Sequence, residues 1–151
     1  MPTFREETVD QPAARRLLTE YFQSRELGFI GGEYRTVFPT PATFAAPDGV
    51  FLIVESEGAD VGCGGIRRLS PQRMELKHLF MRPHTRGQGL GRALLVELER
   101  RAVAFGATEM VLDTNASLET AANLYRSSGY IGIDPYNDNP NATNWYLKQV
   151  P

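Results

Sequence analysis

The chain has 151 residues, 42% of them hydrophobic and 23% charged, values that suit a folded globular domain and exclude a disordered, fibrous or membrane-embedded chain. Sixteen lysines and arginines against eighteen acids leave a net charge of −2, so no bulk positive field gathers nucleic acid or anionic lipid. A chain of this length buries about 68–70% of its unfolded surface, which makes one domain over residues 1–151 the expectation. No apolar run approaches the ~20 residues of a membrane helix, and "MPTFREETVDQ" has no signal-peptide core. A cytoplasmic location is therefore expected, with no membrane and no nucleic acid among the partners.

In chain order, Asp10 caps a first helix over residues 11–24, with Pro12 in its first turn and Ala14, Leu17, Leu18, Tyr21 and Phe22 on one face. The segment from Arg25 to Phe44 mixes aromatics with glycine and proline and reads as a short helix or irregular loop. "VFLIVESEGADVGCGGIRRL" holds two antiparallel strands around a turn at Glu57 to Asp60. Its single cysteine, Cys63, has no partner for a disulfide or a metal pair and reads as a small packing residue; no metal is expected. A third strand runs from Gln72 to Met81. Regular alternation puts Glu75, Lys77, Leu79 and Met81 on one face and Leu76, His78 and Phe80 on the other.

Leu90, Leu94, Leu98, Ala102 and Phe105 then recur at helical spacing up to Gly106. A strand "EMVLD", a helix from Ser117 to Ser128 closed by Gly129, and two strands around "YIGID" and "NWYLK" follow. The order is α, ββ, β, α, β, α, ββ.

Between the third strand and the second helix stands "TRGQGLGRA", Thr85 to Ala93. A strand, a glycine-rich loop and a helix in that order bring unpaired backbone N–H groups and the positive end of a helix dipole to one spot, which suits phosphate. Gly87, Gly89 and Gly91 let the backbone approach an anion, and Arg86 and Arg92 add charge. The loop has no lysine for a P-loop, and the position where a dinucleotide fingerprint needs its third glycine is Arg92.

The pattern that fits is Arg-x-x-Gly-x-Gly at Arg86, Gly89 and Gly91. With "ANLYRSSGY" some thirty residues on, it resembles the GNAT superfamily of N-acetyltransferases, small bacterial single-domain members in particular, and the element order is similar over nearly the whole chain. The resemblance implies a mixed α/β (α+β) fold: a twisted, mostly antiparallel sheet of six to seven strands flanked by about four helices. It also implies acetyl-CoA as donor, with its pyrophosphate on Arg86, Gly87, Gln88, Gly89, Leu90, Gly91 and Arg92. The backbone of Leu79, Phe80 and Met81 would pair with the pantetheine and polarise the thioester carbonyl.

Tyr125, in the motif formed with Leu124, Gly129 and Tyr130, would contact the cofactor and protonate the departing thiolate, while Glu75 would serve as base, directly or through water. The competing reading of Glu75 is a charge paired with Lys77 or Arg73. His78 reads as a core or surface residue, and His84 as solvated. Where many members carry a cofactor-binding asparagine this chain has Leu118, and Asn115 or Asn123 would substitute.

The family's acceptor pocket would draw on Phe29, Tyr34, Arg35, Phe38, Tyr136, Asn137, Asn144 and Trp145. An aromatic setting suits a small-molecule amine, and Arg35 with Arg67 or Arg68 would hold a carboxylate on it. The alternatives are an acyl-CoA sensor or interaction module without turnover, another acyl donor, or a protein N-terminus as acceptor. A homodimer is a further expectation, with "NWYLK" as an available edge strand.

Overall fold

A computed structural model describes residues 2–28, 34–115 and 118–151. The expected Phe29 of the acceptor region and Ser117 at the start of the last helix lie outside the described residues. Seven strands form one sheet: β1 (Thr3–Glu6), β2 (Gly49–Ser56), β3 (Ala59–Arg68), β4 (Arg73–Met81), β5 (Glu109–Thr114), β6 (Ile131–Ile133) and β7 (Asn144–Gln149). Three α-helices accompany them, α1 (Pro12–Gly28), α2 (Leu90–Ala104) and α3 (Glu119–Ser127), with single 3-10 turns at Pro41–Phe44 and Pro83–Thr85. The described helices thus number three rather than about four, and between α1 and β2 the described residues 34–48 form only the 3-10 turn.

The strand order is β1-β2-β3-β4-β5-β7-β6, and every neighbouring pair is antiparallel except β4 and β5. β1 falls outside the expected order because four residues, "TFRE", are too short to show a period. The expected edge strand "NWYLK" is corrected as well: β7 lies inside the sheet, paired with β5 on one side and β6 on the other. Trp145 to Leu147 are paired on both sides, so this stretch is not an edge of the sheet.

Helices cover both faces. Ala14, Leu17, Leu18 and Phe22 of α1 are buried with Phe51, Ile53, Cys63 and Phe80 on one side of the sheet. Leu90, Leu94, Leu95, Leu98 and Ala102 of α2 are buried with Leu52, Val54, Ile66, Met74 and Leu76 on the other. Each fully buried leucine contributes about 1.5–3 kcal/mol relative to exposure. The glycines of β3 permit this closeness: a Cβ on Gly65 would stand 2.7 Å from the Phe44 ring.

Two departures from a regular sheet shape what lies above it. First, Ile66 pairs with Leu76 and Gly65 with Lys77, yet Cys63 pairs with Phe80. β4 therefore holds one extra residue, a β-bulge, and His78 sits there with φ +59°. The bulge overturns the regular alternation expected for this strand. Met74 and Leu76 face α2, but beyond the bulge Leu79 and Met81 do so, while Phe80 turns to α1. His78 joins that α1 side, where its ring meets Tyr21 and Phe22. Second, the parallel pairing of β4 with β5 covers only Arg73, Met74 and Glu75 against Glu109, Met110 and Val111. From Lys77 and Leu112 onward the two strands part.

Candidate functional site

The parting of β4 and β5 opens a cavity of about 510 Å³, within the range of small-molecule sites. Leu76 to Leu79 of β4, Leu112 to Thr114 of β5 and Asn115 just beyond it line the cavity. Tyr21, Phe22 and Arg25 of α1, and Tyr125 of α3, also line it. Lys77 reaches across the gap to Asp113, 3.4 Å from Nζ to Oδ1.

At the other end of β4 the chain makes its 3-10 turn, with Thr85 buried and its hydroxyl donating to the Arg82 carbonyl at 2.7 Å. Arg86 to Gly89 are exposed. Gly87 and Gly89 have φ of +84° and +76°, conformations that a residue with a Cβ adopts at a cost. The first backbone bond into α2 is Ala93 N–H to the Gly89 carbonyl, so the N–H groups of Leu90, Gly91 and Arg92 have no acceptor within the helix. No side chain caps this end and no acid stands in its first turn.

A pyrophosphate fits there on the chemistry of the donors. A run of backbone N–H groups is presented, the helix dipole adds positive character, and the space where Cβ atoms of Gly87 and Gly89 would lie is clear to 4 Å. Arg86 has no side-chain partner among the described residues. Arg92 is placed differently, its Nη1 and Nη2 donating to the hydroxyls of Ser128 and Ser127 at 3.0 and 2.7 Å. Its backbone N–H alone faces the loop's task, and its guanidinium ties α2 to the end of α3.

That tie shows why the two sequence signals belong together. Leu124 packs at Gly91, where a Cβ would come to 3.5 Å from its Cδ2. Gly129 ends the α3 turn with φ +96°, and the Tyr130 hydroxyl donates to Glu99 of α2 at 2.9 Å. Tyr125, 5% exposed, is left pointing into the cavity, its ring edge-on to Tyr130. Burial raises its pKa above the usual tyrosine value, the nearby Arg25 opposing. The phenol is therefore a proton holder at neutral pH.

Glu75 is fully buried. Its Oε1 accepts from Arg67 Nε at 2.7 Å and its Oε2 from the Tyr136 hydroxyl at 2.5 Å, with Lys77 Nζ 3.9 Å away. Arg67 and Lys77 line the cavity, whereas Glu75 and Tyr136 do not. Burial first, then the Glu75 charge, raises the Tyr136 pKa, so that hydroxyl stays a donor. Of the competing expectation, a charge paired with Lys77 or Arg73, the Lys77 pair is present at 3.9 Å, whereas Arg73 pairs with Glu109.

Of the other expected residues, Leu79 lines the cavity; Phe80 is buried against α1 and Met81 packs on the α2 side. Asn115, 5% exposed, lines the cavity from the end of β5 and donates to the Asn141 carbonyl at 3.2 Å, whereas Asn123 is exposed and accepts from Arg126. Tyr34, Arg35, Phe38 and Asn137 all line the cavity. Arg35 is held through its backbone, N–H to Asn141 Oδ1 at 3.0 Å and carbonyl to Asn141 Nδ2 at 2.8 Å. Asn144 and Trp145 instead border a separate open depression beside β6. Arg68 is occupied elsewhere, donating to the Phe105 and Pro71 carbonyls and pairing with Asp48. Cys63 is buried packing, as expected.

Sequence reasoning missed Arg25, Tyr21 and Asp113 as cavity residues and put His78 on the wrong face. Arg25 ends a helix whose spacing shows only its apolar face, and the bulge that turns His78 has no sequence mark.

The sequence profile of the acetyltransferase (GNAT) family matches residues 12–130. An uncharacterised N-acetyltransferase of Schizosaccharomyces pombe is 34% identical over 107 residues, 70% of this chain and 66% of that protein. The chain thus spans just under two thirds of that relative's length. Among solved structures, a putative acyl-CoA N-acyltransferase of Klebsiella pneumoniae superimposes with a TM-score of 0.80 at 25% identity, covering 99% of this chain and 98% of that one. An N-acetyltransferase of Thermoplasma acidophilum, solved with coenzyme A, gives 0.76 at 16%, covering 99% of both. The splayed sheet, the open glycine loop and the tyrosine over the cavity meet in the fold that these proteins share, and the chain belongs to the acetyltransferase (GNAT) family.

Proposed function

We propose that the protein is an N-acetyltransferase that moves an acetyl group from acetyl-CoA to the amine of a small molecule, both bound together in the cavity. One observation carries the reading. β4 and β5 cease to pair after Glu75 and Val111 beside an aromatic cavity that Tyr125 lines, and β4 runs on into the uncapped, glycine-lined start of α2. The Thermoplasma acidophilum neighbour solved with coenzyme A supports the choice of carrier.

Gly87 to Arg92 would hold the pyrophosphate by their backbone, with Arg86 adding charge. Asn115 and the backbone of Leu79 to Met81 on the side turned away from β3 would hold the arm that runs along the gap. When bound, acetyl-CoA supplies an activated acyl group and leaves a thiolate that needs a proton.

The chain's own residues supply the rest. A backbone N–H in the parted stretch of β4 is a donor for a carbonyl oxygen, available without reorganisation. Tyr125 holds a proton on a buried hydroxyl that faces the cavity. Glu75, its two oxygens engaged by Arg67 and Tyr136, takes the amine's proton through intervening water rather than by contact. Tyr34, Arg35 and Phe38 would border the acceptor, and Tyr136 positions Glu75.

The test is release of free thiol from acetyl-CoA by the purified protein across a panel of small amines and amino-terminal peptides. Turnover on small amines supports the reading. Acetyl-CoA binding without turnover on any of them sinks it and favours a sensor.

A further inference from the structure

The cavity carries a charge imbalance that acyl transfer does not use. Among the described residues four cations line it, Arg25, Arg35, Arg67 and Lys77, against the one carboxylate of Asp113. Arg67 is already paired with Glu75, and Lys77 lies between Asp113 and Glu75. Asp113 also accepts from Asn137 Nδ2 at 2.7 Å. Arg25 has no ion pair among the described residues. Its guanidinium lies 4.4 Å over the Tyr21 ring; burial opposes its charge, while the Tyr21 phenol, which also hydrogen-bonds to it, then Tyr125 and Tyr34 favour it.

Ring faces attract a cation but do not neutralise it, and a desolvated charge without a counter-charge is costly. The cations of the glycine loop do not explain the imbalance, since neither Arg86 nor Arg92 lines the cavity. Beside Arg25 the wall is aromatic. The His78 ring lies 5.3 Å from Tyr21, 5.5 Å from Phe22 and 5.8 Å from Phe44. That ring is neutral, because burial, then Lys77, Arg25 and Arg67, hold its pKa down to about 3. It adds apolar surface and no charge.

Resting on the acyl-transfer reading, we infer that the acceptor is an amine bearing a carboxylate and an aromatic or apolar side group, with Arg25 receiving the carboxylate and Tyr21, Phe22, Phe44 and His78 the side group. The sequence pointed to Arg68 for part of this task. Arg68 is bound to two carbonyls and Asp48, so Arg25 of α1 takes its place.

The test needs no turnover. Binding of 3-phenylpropionate is compared with that of its neutral amide by calorimetry on the full chain. A charge-assisted contact gives the acid an advantage of about 10- to 100-fold. Arg25→Met removes most of that advantage, and Arg25→Lys keeps part of it. Equal affinities in the unmodified protein, no binding of either, or an advantage that survives Arg25→Met overturns the inference. Should Arg25→Met fail to fold, the comparison in the unmodified protein still decides. Failure to bind acetyl-CoA would strike the acyl-transfer reading instead and leave the acid–amide comparison standing.

Discussion

Two side chains can be tested singly, Tyr125 for the proposed proton transfer and His78 for stability. Tyr125 faces the cavity as a protonated phenol whose pKa lies above the ordinary 10. Tyr125→Phe keeps the ring and deletes the proton, so turnover falls by about 10²–10⁴-fold while acetyl-CoA affinity stays within the same order; equal losses in both would assign the residue to binding alone. Because the phenol keeps its proton, the rate in the unmodified enzyme rises with pH as the amine loses its own proton. No falling limb appears below about pH 10. His78 gives a stability test. Its folded pKa is depressed to about 3, against about 6.5 for the unfolded chain. The unfolded state takes up a proton that the folded state refuses, so stability is whole above about pH 6.5 and is lost as the pH falls toward 3. His78→Asn, which tolerates the positive φ at this position, removes that contribution. The difference in melting temperature between pH 7 and pH 5 is smaller in the variant; an unchanged difference would remove His78 from the account.

At the scale of elements, the bulge and the parted strands decide what the sheet presents. Gly91 tests the loop: a Cβ there meets Leu124 and Met81 at ordinary van der Waals distances of 3.5 and 3.8 Å. Gly91→Val therefore folds, with a melting temperature near that of the parent, and loses most of its acetyl-CoA affinity on calorimetric titration. Gly89→Val is a poorer probe, because φ +76° adds a strain of about 1–2 kcal/mol to any effect on binding. Most elements were legible because their periods are local: α1 and α2 show apolar spacing, and the turns show glycine. β1 is too short to show any. The His78 bulge and the divergence of β4 from β5 arise from pairing between distant segments, which no spacing within one segment records. The site was legible to the same extent. "TRGQGLGRA" announces the open, glycine-lined start of α2 in consecutive residues, whereas Arg25, Asp113 and His78 meet only after folding. Arg92 looked like a ligand for the anion, yet it reaches Ser127 and Ser128.

For the whole molecule, the net charge of −2 conceals two positive places, the start of α2 and the Arg25 end of the cavity, with the parted strands between them. No helix among the described residues is long and apolar enough to cross a membrane. If the glycine loop and the cavity are two ends of one donor and acceptor site, as proposed, the loop takes the diphosphate and the cavity the acyl end. The measurement that tests this most directly is a calorimetric titration of the protein with acetyl-CoA beside adenosine diphosphate. One acetyl-CoA site of micromolar affinity is expected, with adenosine diphosphate weaker but competing for the same site. No heat with acetyl-CoA, or adenosine diphosphate binding that acetyl-CoA does not displace, would contradict the account.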